Sequence, residues 1–345
     1  MNPSQAKSPT KYRYLVGLTQ IDIQESLGNG DQIANEFRIT NDKAVVQKFL
    51  SRNLMEALGG LETMALLNAD ALVYEEATTE ENLDATTALA ELTGMLERTG
   101  VFATALWMVK DNAVNFELGF LEIWPPDGQY RAHSNFLAMT VRKADGSKDK
   151  VRFSRSELRE ARQLFTGLLQ LMAQDTPEEI KTQVKLPAGQ QPIMTSHAKV
   201  PRVRRALYFL ESARSFRDMG LKIAMYCSLF ETLFSTDASE ITHKIAHRIA
   251  VFLEQETDKR CELYTRIKKA YGIRSKVVHG DEVKQDAKTI QSISVDVDEI
   301  ARRIFLKLGG SEELFNQFQV NKSELDDYFL KESFGGAPAP NIKTN

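Results

Sequence analysis

Residues 227–234 read CSLFETLF, an apolar run that contains one carboxylate, Glu231. The run lies in a longer segment, residues 221–235, whose composition predicts a helix. A carboxylate buried among apolar side chains needs a partner of opposite charge, because an unpaired charge away from water is costly. Arg274 and Arg248, in later predicted helices, could each supply that charge. The run therefore predicts a packed helix that carries an ion pair.

The segment around this run predicts an all-α bundle from Val203 to about Lys331. Glycines, capping residues and threonine interrupt the helical pattern at short intervals, and short connections between helices are typical of a bundle. The predicted helices are residues 203–218, 221–235, 238–255, 258–279, about 287–308, and 311–331.

Residues 11–172 instead predict an α+β domain with a small antiparallel sheet. KYRYLVGLTQIDI (11–23) has strand composition, and the pattern predicts helices over 44–60 and 78–100, each stopped by glycine. Residues 61–77 fit neither a helical nor a strand pattern clearly.

The rest of this domain alternates between strand and turn signals. TALWMV (104–109) and VNFELGFLEIW (114–124) predict one hairpin, and NFLAMTVRK (135–143) and KDKVRFS (148–154) predict a second. WPPDG (124–128) is expected to break the chain between them. A helix over 154–172 follows, and Ser154 and Glu157 have the spacing of a capping box. The domain has no phosphate loop, no GxGxxG and no HExxH motif.

Composition predicts order in two domains and disorder outside them. Residues 1–10 are expected to be a disordered N-terminus, and 173–201 a polar, proline-containing linker. Residues 202–333 form the predicted helical domain, and the Gly/Pro-rich residues 334–345 a disordered tail. The chain is therefore expected to be multidomain.

The bulk properties are those of an ordinary globular protein, with 42% hydrophobic and 26% charged residues. Two cysteines, Cys227 and Cys261, are too few for a disulfide scaffold and are expected to be reduced core thiols. The sequence shows no signal peptide and no apolar stretch of membrane-spanning length, so a cytoplasmic protein that does not contact membranes is expected.

Charge is distributed unevenly along the chain. Residues 1–150 carry 14 Lys and Arg against 21 Asp and Glu, whereas residues 201–282 carry 15 against 11. Any binding of a polyanion is therefore expected in the C-terminal helical domain.

The decapeptide YGIRSKVVHG (271–280) brings two chemically useful residues close in sequence. Arg274 and His279 point about 140° apart on an ideal helix, so one copy makes a poor site. Two antiparallel copies that meet across a twofold axis could bring two arginines and two histidines together. Gly280 suits the left-handed residue that ends a helix, which would leave His279 at the mouth of a groove.

These residue types fit the cleavage of RNA without a cofactor. A histidine that titrates near neutrality can accept a proton from a ribose 2′-hydroxyl, and an arginine fork can hold the phosphate. Ser275, one turn before His279, could orient the imidazole. Lys276, Lys268 and Lys269 could track the phosphate backbone, although a solvated basic face is an equally good interpretation.

Two further histidines have the spacing that is found in some zinc sites. His243 and His247 lie four residues apart on one predicted helix, but no third ligand lies nearby in sequence. We interpret them as solvated or core histidines, and no metal or cofactor is predicted.

Two longer stretches carry a family resemblance. RRALYFLESARSFRDMGLKIAMYCSLFETLFSTDASEITHKIAHRIAVFLEQ (204–255) and YTRIKKAYGIRSKVVHG (264–280) resemble the Apea-like branch of the HEPN superfamily. The matching features are an aromatic first helix, the ETLF segment, an SE pair before the third helix, an HRIA stretch and the final RS-x3-HG. The resemblance covers residues 204–282 and does not extend to residues 1–172.

The resemblance implies a HEPN helical bundle that forms a homodimer. Many such domains are metal-independent endoribonucleases with an R-x4-6-H motif at the dimer interface. Arg274 and His279 match the two fixed positions of that motif, Ser275 the polar position after the arginine, and Glu231 the acidic position of the second helix. Active members often have asparagine or aspartate where this chain has Ser275. A role in prokaryotic antiviral defence or as a toxin is also implied.

Two other functions stay open at this stage. The bundle could be a non-catalytic scaffold that binds RNA, a nucleotide or a partner protein. It could also be a toxin held inactive by a neutralising partner, such as a nucleotidyltransferase. The N-terminal domain is expected to sense a trigger, select the substrate or restrain the nuclease.

Overall fold

The computed structural model describes residues 9–137, 140–174, 200–237 and 240–334. Its contacts divide the chain into two compact units, Met1–Lys143 with Ser147–Thr195 and Ala144–Gly146 with Ser196–Asn345. Most of the predicted disordered ends and of the predicted linker lie outside the described residues. Thr10, which was expected to be disordered, begins the first strand.

The N-terminal unit combines an antiparallel sheet with helices, as predicted. Its described strands are β1 (Thr10–Leu18), β2 (Ile21–Ile23), β3 (Asp31–Ala34), β4 (Phe37–Thr40), β5 (Ala71–Thr79), β6 (Leu118–Trp124), β7 (Arg131–Phe136) and β8 (Val151–Phe153). Its described helices are α1 (Lys43–Phe49), α2 (Arg52–Leu58), α3 (Gly60–Asn68), α4 (Ala85–Val109) and α5 (Arg155–Gln174). Six strands form one sheet in the order β3-β4-β5-β1-β6-β7, and β2 pairs with β8 in parallel.

Helices cover both faces of the sheet around β1. Leu15 packs in a core cluster with residues of α1, α2 and α3, whereas the neighbouring Tyr14 bonds to Thr99 of α4 on the opposite face at 2.9 Å between the two hydroxyls. Because both faces are buried, Tyr14, Leu15 and Val16 are all buried in succession. This explains why β1 lacks the alternation of a half-exposed strand.

The prediction of a strand over TALWMV was wrong. These residues are the last turns of α4, which continues through Gly100 to Val109. The end of the helix is buried on nearly every side, and its large apolar residues Phe102, Leu106 and Trp107 are all inside the core. A short segment that is apolar all round has no helical period that would distinguish it from a buried strand.

The predicted pairing of the later strands was also wrong. WPPDG does not separate two hairpins; it forms the turn of one hairpin, β6 to β7, where the Gly128 N–H donates to the Pro125 carbonyl at 3.0 Å. Among the described residues, β8 within KDKVRFS pairs with β2 and not with NFLAMTVRK. The capping box predicted before α5 is confirmed, since the Ser154 N–H donates to Glu157 Oε2 at 2.8 Å and the Glu157 N–H to Ser154 Oγ at 3.3 Å.

The region from 44 to 79 is more broken than predicted. The expected single helix over 44–60 is two short helices, α1 and α2, because Ser51 begins a new helix by accepting the Leu54 N–H at 3.2 Å. Residues 61–77, which fitted neither pattern, contain most of α3 and of β5.

The C-terminal unit is helical, as predicted. Its described helices are α6 (Arg202–Ser215), α7 (Met219–Phe234), α8 (Ile241–Leu253), α9 (Thr257–His279), α10 (Ala287–Gly309), α11 (Glu312–Gln317) and α12 (Lys322–Phe334). The predicted helix over 311–331 is two helices, because Asn321 begins α12 by accepting the Glu324 N–H at 3.0 Å. Within the described ranges, no helix is long and apolar enough to cross a membrane.

Helix α7 lies at the centre of this unit. It packs against α6, α8, α9 and α10, and its buried residues cover more than half of the helix circumference. Asp218 begins it by accepting the Leu221 N–H at 2.8 Å. Cys227 is a buried thiol on α7, as predicted, whereas Cys261 on α9 is exposed and is not a core thiol.

We predict that Gly17→Ala destabilises the N-terminal unit. A Cβ at Gly17 would lie 2.8 Å from the Cβ of Ala69, and a methyl group has no rotamer through which it could move away. The expected loss is about 1–3 kcal/mol in the free energy of unfolding. Urea titration followed by tryptophan fluorescence measures it, because both tryptophans, Trp107 and Trp124, lie in this unit.

Gly94→Ala is the matched control. Gly94 lies inside α4, and a Cβ there meets no atom within 4 Å. This substitution should stabilise the unit by about 0.5–1 kcal/mol, because alanine has less backbone freedom to lose. Equal losses in the two variants would contradict the packing described for β1.

Candidate functional site

The end of α9 is fixed by its backbone. Gly280 has a φ of 77°, in the left-handed region, and its N–H donates to the Lys276 carbonyl. The Asp281 N–H donates to the same carbonyl at 2.8 Å. The predicted helix end at His279 is therefore confirmed, and His279 is exposed there.

Arg274 reaches inward from the same helix to the carboxylate of α7. Its Nη2 atom lies 3.4 Å from Glu231 Oε1, and the two side chains are 30% and 24% exposed. Arg248, the alternative partner, instead pairs with Asp326 and donates to the Phe234 carbonyl at 2.6 Å. The ion pair predicted from CSLFETLF therefore forms with Arg274.

Burial dominates the electrostatics of Glu231. Loss of water around the carboxylate raises its pKa above the ordinary value of 4.5, while Arg274 and then the Tyr271 hydroxyl lower it. Among the described residues, Glu231 Oε1 has the ion pair with Arg274 but no hydrogen bond. The carboxylate is therefore held in place by the charge of Arg274, and its Oε1 atom accepts no hydrogen bond from the described residues.

Tyr271 packs beside the candidate pair Glu231 and Arg274 and was not singled out from the sequence. It is buried, its hydroxyl donates to the Cys227 carbonyl at 3.3 Å, and burial raises its pKa well above the ordinary value. Tyr271 precedes Arg274 by three residues, which places both on one side of α9. The three-residue spacing between Tyr271 and Arg274 could have identified Tyr271 from the sequence.

The other side of α9 faces away from α7. Lys268, Gly272, Ser275 and His279 follow one another at helical spacing and are all exposed; we call them the outward stripe. A Cβ at Gly272 would meet no atom within 4 Å. The chain thus separates its two candidate residues, with Arg274 turned inward and His279 outward.

The remaining predicted residues lie around this stripe. Ser275 makes no hydrogen bond to His279 or to any other residue that the structure describes. Lys276 Nζ donates to Gln285 Oε1 at 3.3 Å, Lys268 Nζ lies 5.5 Å from the centre of the Tyr264 ring, and Lys269 is exposed. Three lysines therefore lie near the stripe, but a single copy does not hold Ser275 against His279.

His243 and His247 contact each other and Tyr264 within the helical bundle. Nδ1 of His243 lies 2.8 Å from the Tyr264 hydroxyl, and the two imidazole rings stack with 6.4 Å between their centres. Partial burial and then the neighbouring His243 lower the pKa of His247. Across the described part of the chain, no group of three or more His, Cys, Asp or Glu residues could hold a metal ion.

Comparisons of this chain with protein-family models, with curated proteins and with solved structures found no match.

We predict that Glu231→Gln stabilises the protein at pH 7. Because burial raises the pKa of Glu231, this group favours folding most below its unfolded pKa near 4.5, and that contribution is lost as the pH rises through the raised value. Glutamine keeps the shape and removes the buried charge. Urea titrations followed by circular dichroism should therefore show a higher free energy of unfolding at pH 7, with the difference vanishing towards pH 4.5.

Glu262→Gln is the control, since it removes the same charge from an exposed position on α9. The free energy of unfolding of this variant should stay close to that of the wild type at both pH 7 and pH 4.5. A Glu231→Gln variant that loses stability as the pH rises, relative to wild type, would contradict the sign of the pKa shift.

Proposed function

We propose that this chain is a metal-independent endoribonuclease of the HEPN type that acts as a homodimer. The observation that carries the proposal is the opposite orientation of two residues on one helix. Arg274 is held inward by Glu231 at 3.4 Å, whereas His279 is exposed at the capped end of α9. A site that uses both residues needs a second copy of the chain.

The outward stripe is the surface on which we expect that second copy. Gly272 in the stripe has open space above it, which lets another helix approach closely. Val278 next to it is 55% exposed, an apolar side chain that dimerisation would bury. A twofold axis between two antiparallel stripes would place His279 of each copy near Arg274 of the other.

The proposed chemistry follows from these residue types. One His279 takes the proton from a ribose 2′-hydroxyl, and the resulting oxygen attacks the neighbouring phosphorus. The bond from phosphorus to the 5′-oxygen breaks, and that leaving oxygen takes a proton from water. The products are a 2′,3′-cyclic phosphate and a free 5′-hydroxyl.

Arg274 has the role of phosphate clamp in this reaction. Its planar guanidinium fork carries a positive charge that matches the negative charge of the phosphate. Glu231 sets its position, and Ser275 is proposed to orient His279 once the dimer has formed. Lys268, Lys269 and Lys276 are proposed to bind the backbone of the RNA on either side.

The resemblance of residues 204–282 to Apea-like HEPN domains supports the same activity and points to antiviral defence or a toxin-like role. A protein partner that neutralises the nuclease would fit such a role, and the N-terminal unit would sense the trigger, select the RNA or restrain the activity.

A non-catalytic scaffold is the second candidate. The observation that favours it is that Arg274 is already paired with Glu231, while Ser275 has no hydrogen bond to His279 among the described residues. In that case, the same surface would bind RNA, a nucleotide or a protein without cleaving it.

We predict that His279→Ala abolishes the cleavage of RNA. The full-length protein is incubated with a mixed RNA pool in EDTA, and the new 3′ ends are tested for cyclic phosphate. Removing the general base should lower the rate by about 100-fold or more. Sedimentation should show the same dimer for wild type and variant.

His243→Ala is the matched control, because it removes another exposed histidine from the same unit. It should cleave at the wild-type rate. A wild-type protein that dimerises and binds RNA but does not cleave it would favour the scaffold, and equal cleavage by His279→Ala would exclude the proposed site.

A further inference from the structure

The N-terminal unit contains a cavity of about 330 Å³ between the start of the sheet and helix α5. Its size lies at the lower end of the range of small-molecule sites, which is roughly 300–1,000 Å³. Its lining combines apolar and charged side chains: Asp31, Gln32, Ile33, Ile39, Phe102, Arg155, Leu158, Arg159 and Arg162. The cavity is separate from the site proposed for RNA cleavage and does not depend on it.

Three arginines of α5 face this cavity. Arg155, Arg159 and Arg162 are spaced by four and three residues, so the helix presents them on one side. Their sequence, SRSELREARQLF (154–165), contains that spacing, but the sequence alone does not show that a cavity lies in front of it. Without the cavity, the same arginines would be a solvated helix face.

Only the first of the three has a partner within the described residues. Arg155 pairs with Asp31 through both nitrogens of its fork, with 2.7 Å between Nε and Oδ2. The hydrogen bond from Arg155 holds the pKa of Asp31 below its ordinary value, and the charges of Arg159 and Arg162 lower it further. The guanidinium groups of Arg159 and Arg162 make no hydrogen bond or ion pair with any residue that the structure describes.

The unpaired charge at the cavity is therefore positive. Arg155 and Asp31 neutralise each other, and the Arg159 and Arg162 guanidinium groups are both free to bind an anion. Two adjacent arginine forks match a dianionic phosphate, whose three oxygens accept more hydrogen bonds than a carboxylate can.

The other side of the cavity is apolar. Ile33, Ile39, Leu158 and Phe102 close its floor, and each is only 1–4% exposed. An inorganic ion would leave the small apolar area that they present facing water. A ligand with a compact apolar or aromatic part would cover that area and gain a small free energy of burial.

We propose that this cavity binds a small organic phosphate, a phosphate monoester that carries an apolar or aromatic group. Arg159 and Arg162 hold the phosphate, Arg155 is kept in place by Asp31 beside them, and Ile33, Ile39 and Phe102 contact the organic part. The volume of the cavity suits a compact ester.

Titration calorimetry of the full-length protein tests this proposal with three matched probes: phenyl phosphate, inorganic phosphate and phenol. AMP serves as a second, larger ester. Phenyl phosphate or AMP should bind more tightly than inorganic phosphate, and phenol should not bind. Binding of neither ester would overturn the proposal, and so would equal binding of phenol and phenyl phosphate.

Single substitutions then locate the site. Arg159→Gln and Arg162→Gln should each weaken binding of the ester by about tenfold or more, because each removes a charge-assisted hydrogen bond. Both side chains are exposed, so the variants are expected to fold, which thermal unfolding checks. Arg152→Gln, whose arginine is exposed and pairs with Asp22, should bind like wild type. Unchanged affinity in both cavity variants would overturn the assignment.

Discussion

The pairing of Glu231 with Arg274 is the constraint that orients the candidate residues of α9. Glu231 lies on the central helix, where the loss of water makes an unpaired carboxylate costly. Its partner comes from α9, where the ion pair and the buried apolar residues of the helix together turn Arg274 towards α7. A helix fixed in this way must carry His279 outward, because the two residues are five positions apart. The inward arginine and the outward histidine thus accompany one partly buried ion pair.

That geometry is also what connects the structure to a function. An exposed stripe with a glycine in it, next to an exposed valine, is a surface that a second copy could cover. The proposed nuclease then follows from symmetry, because each copy supplies what the other lacks. The scaffold alternative uses the same surface and the same pairing, and it differs only in whether His279 transfers a proton.

The sequence predicted the C-terminal unit better than the N-terminal one, for physical reasons. Helices separated by glycine and capping residues leave a local signal, and Gly280 ends α9 where the pattern placed the end. In the N-terminal unit, TALWMV was mistaken for a strand because full burial removes the helical period. The pairing of β8 with β2 joins residues about 130 positions apart, and no local pattern encodes such a pairing.

The candidate site shows the same limit. The sequence supplied Arg274, His279 and Glu231, but it left open which arginine pairs with the carboxylate, since that depends on how three helices pack. Tyr271 was missed although it lies in the quoted decapeptide, because a tyrosine in an amphipathic helix is most often a core residue. The arginines of α5 have a visible spacing, yet only the fold shows that a cavity lies before them.

The central claim, that two copies build one site, can be tested by mixing two inactive variants. Arg274→Ala and His279→Ala are co-expressed with different tags, the mixed dimer is allowed to form, and cleavage of RNA is measured. If the site joins Arg274 of one copy with His279 of the other, the mixture should recover about a quarter of the wild-type rate, because half of the dimers contain one intact site out of two. A mixture that forms mixed dimers but stays as inactive as each variant alone would contradict the account.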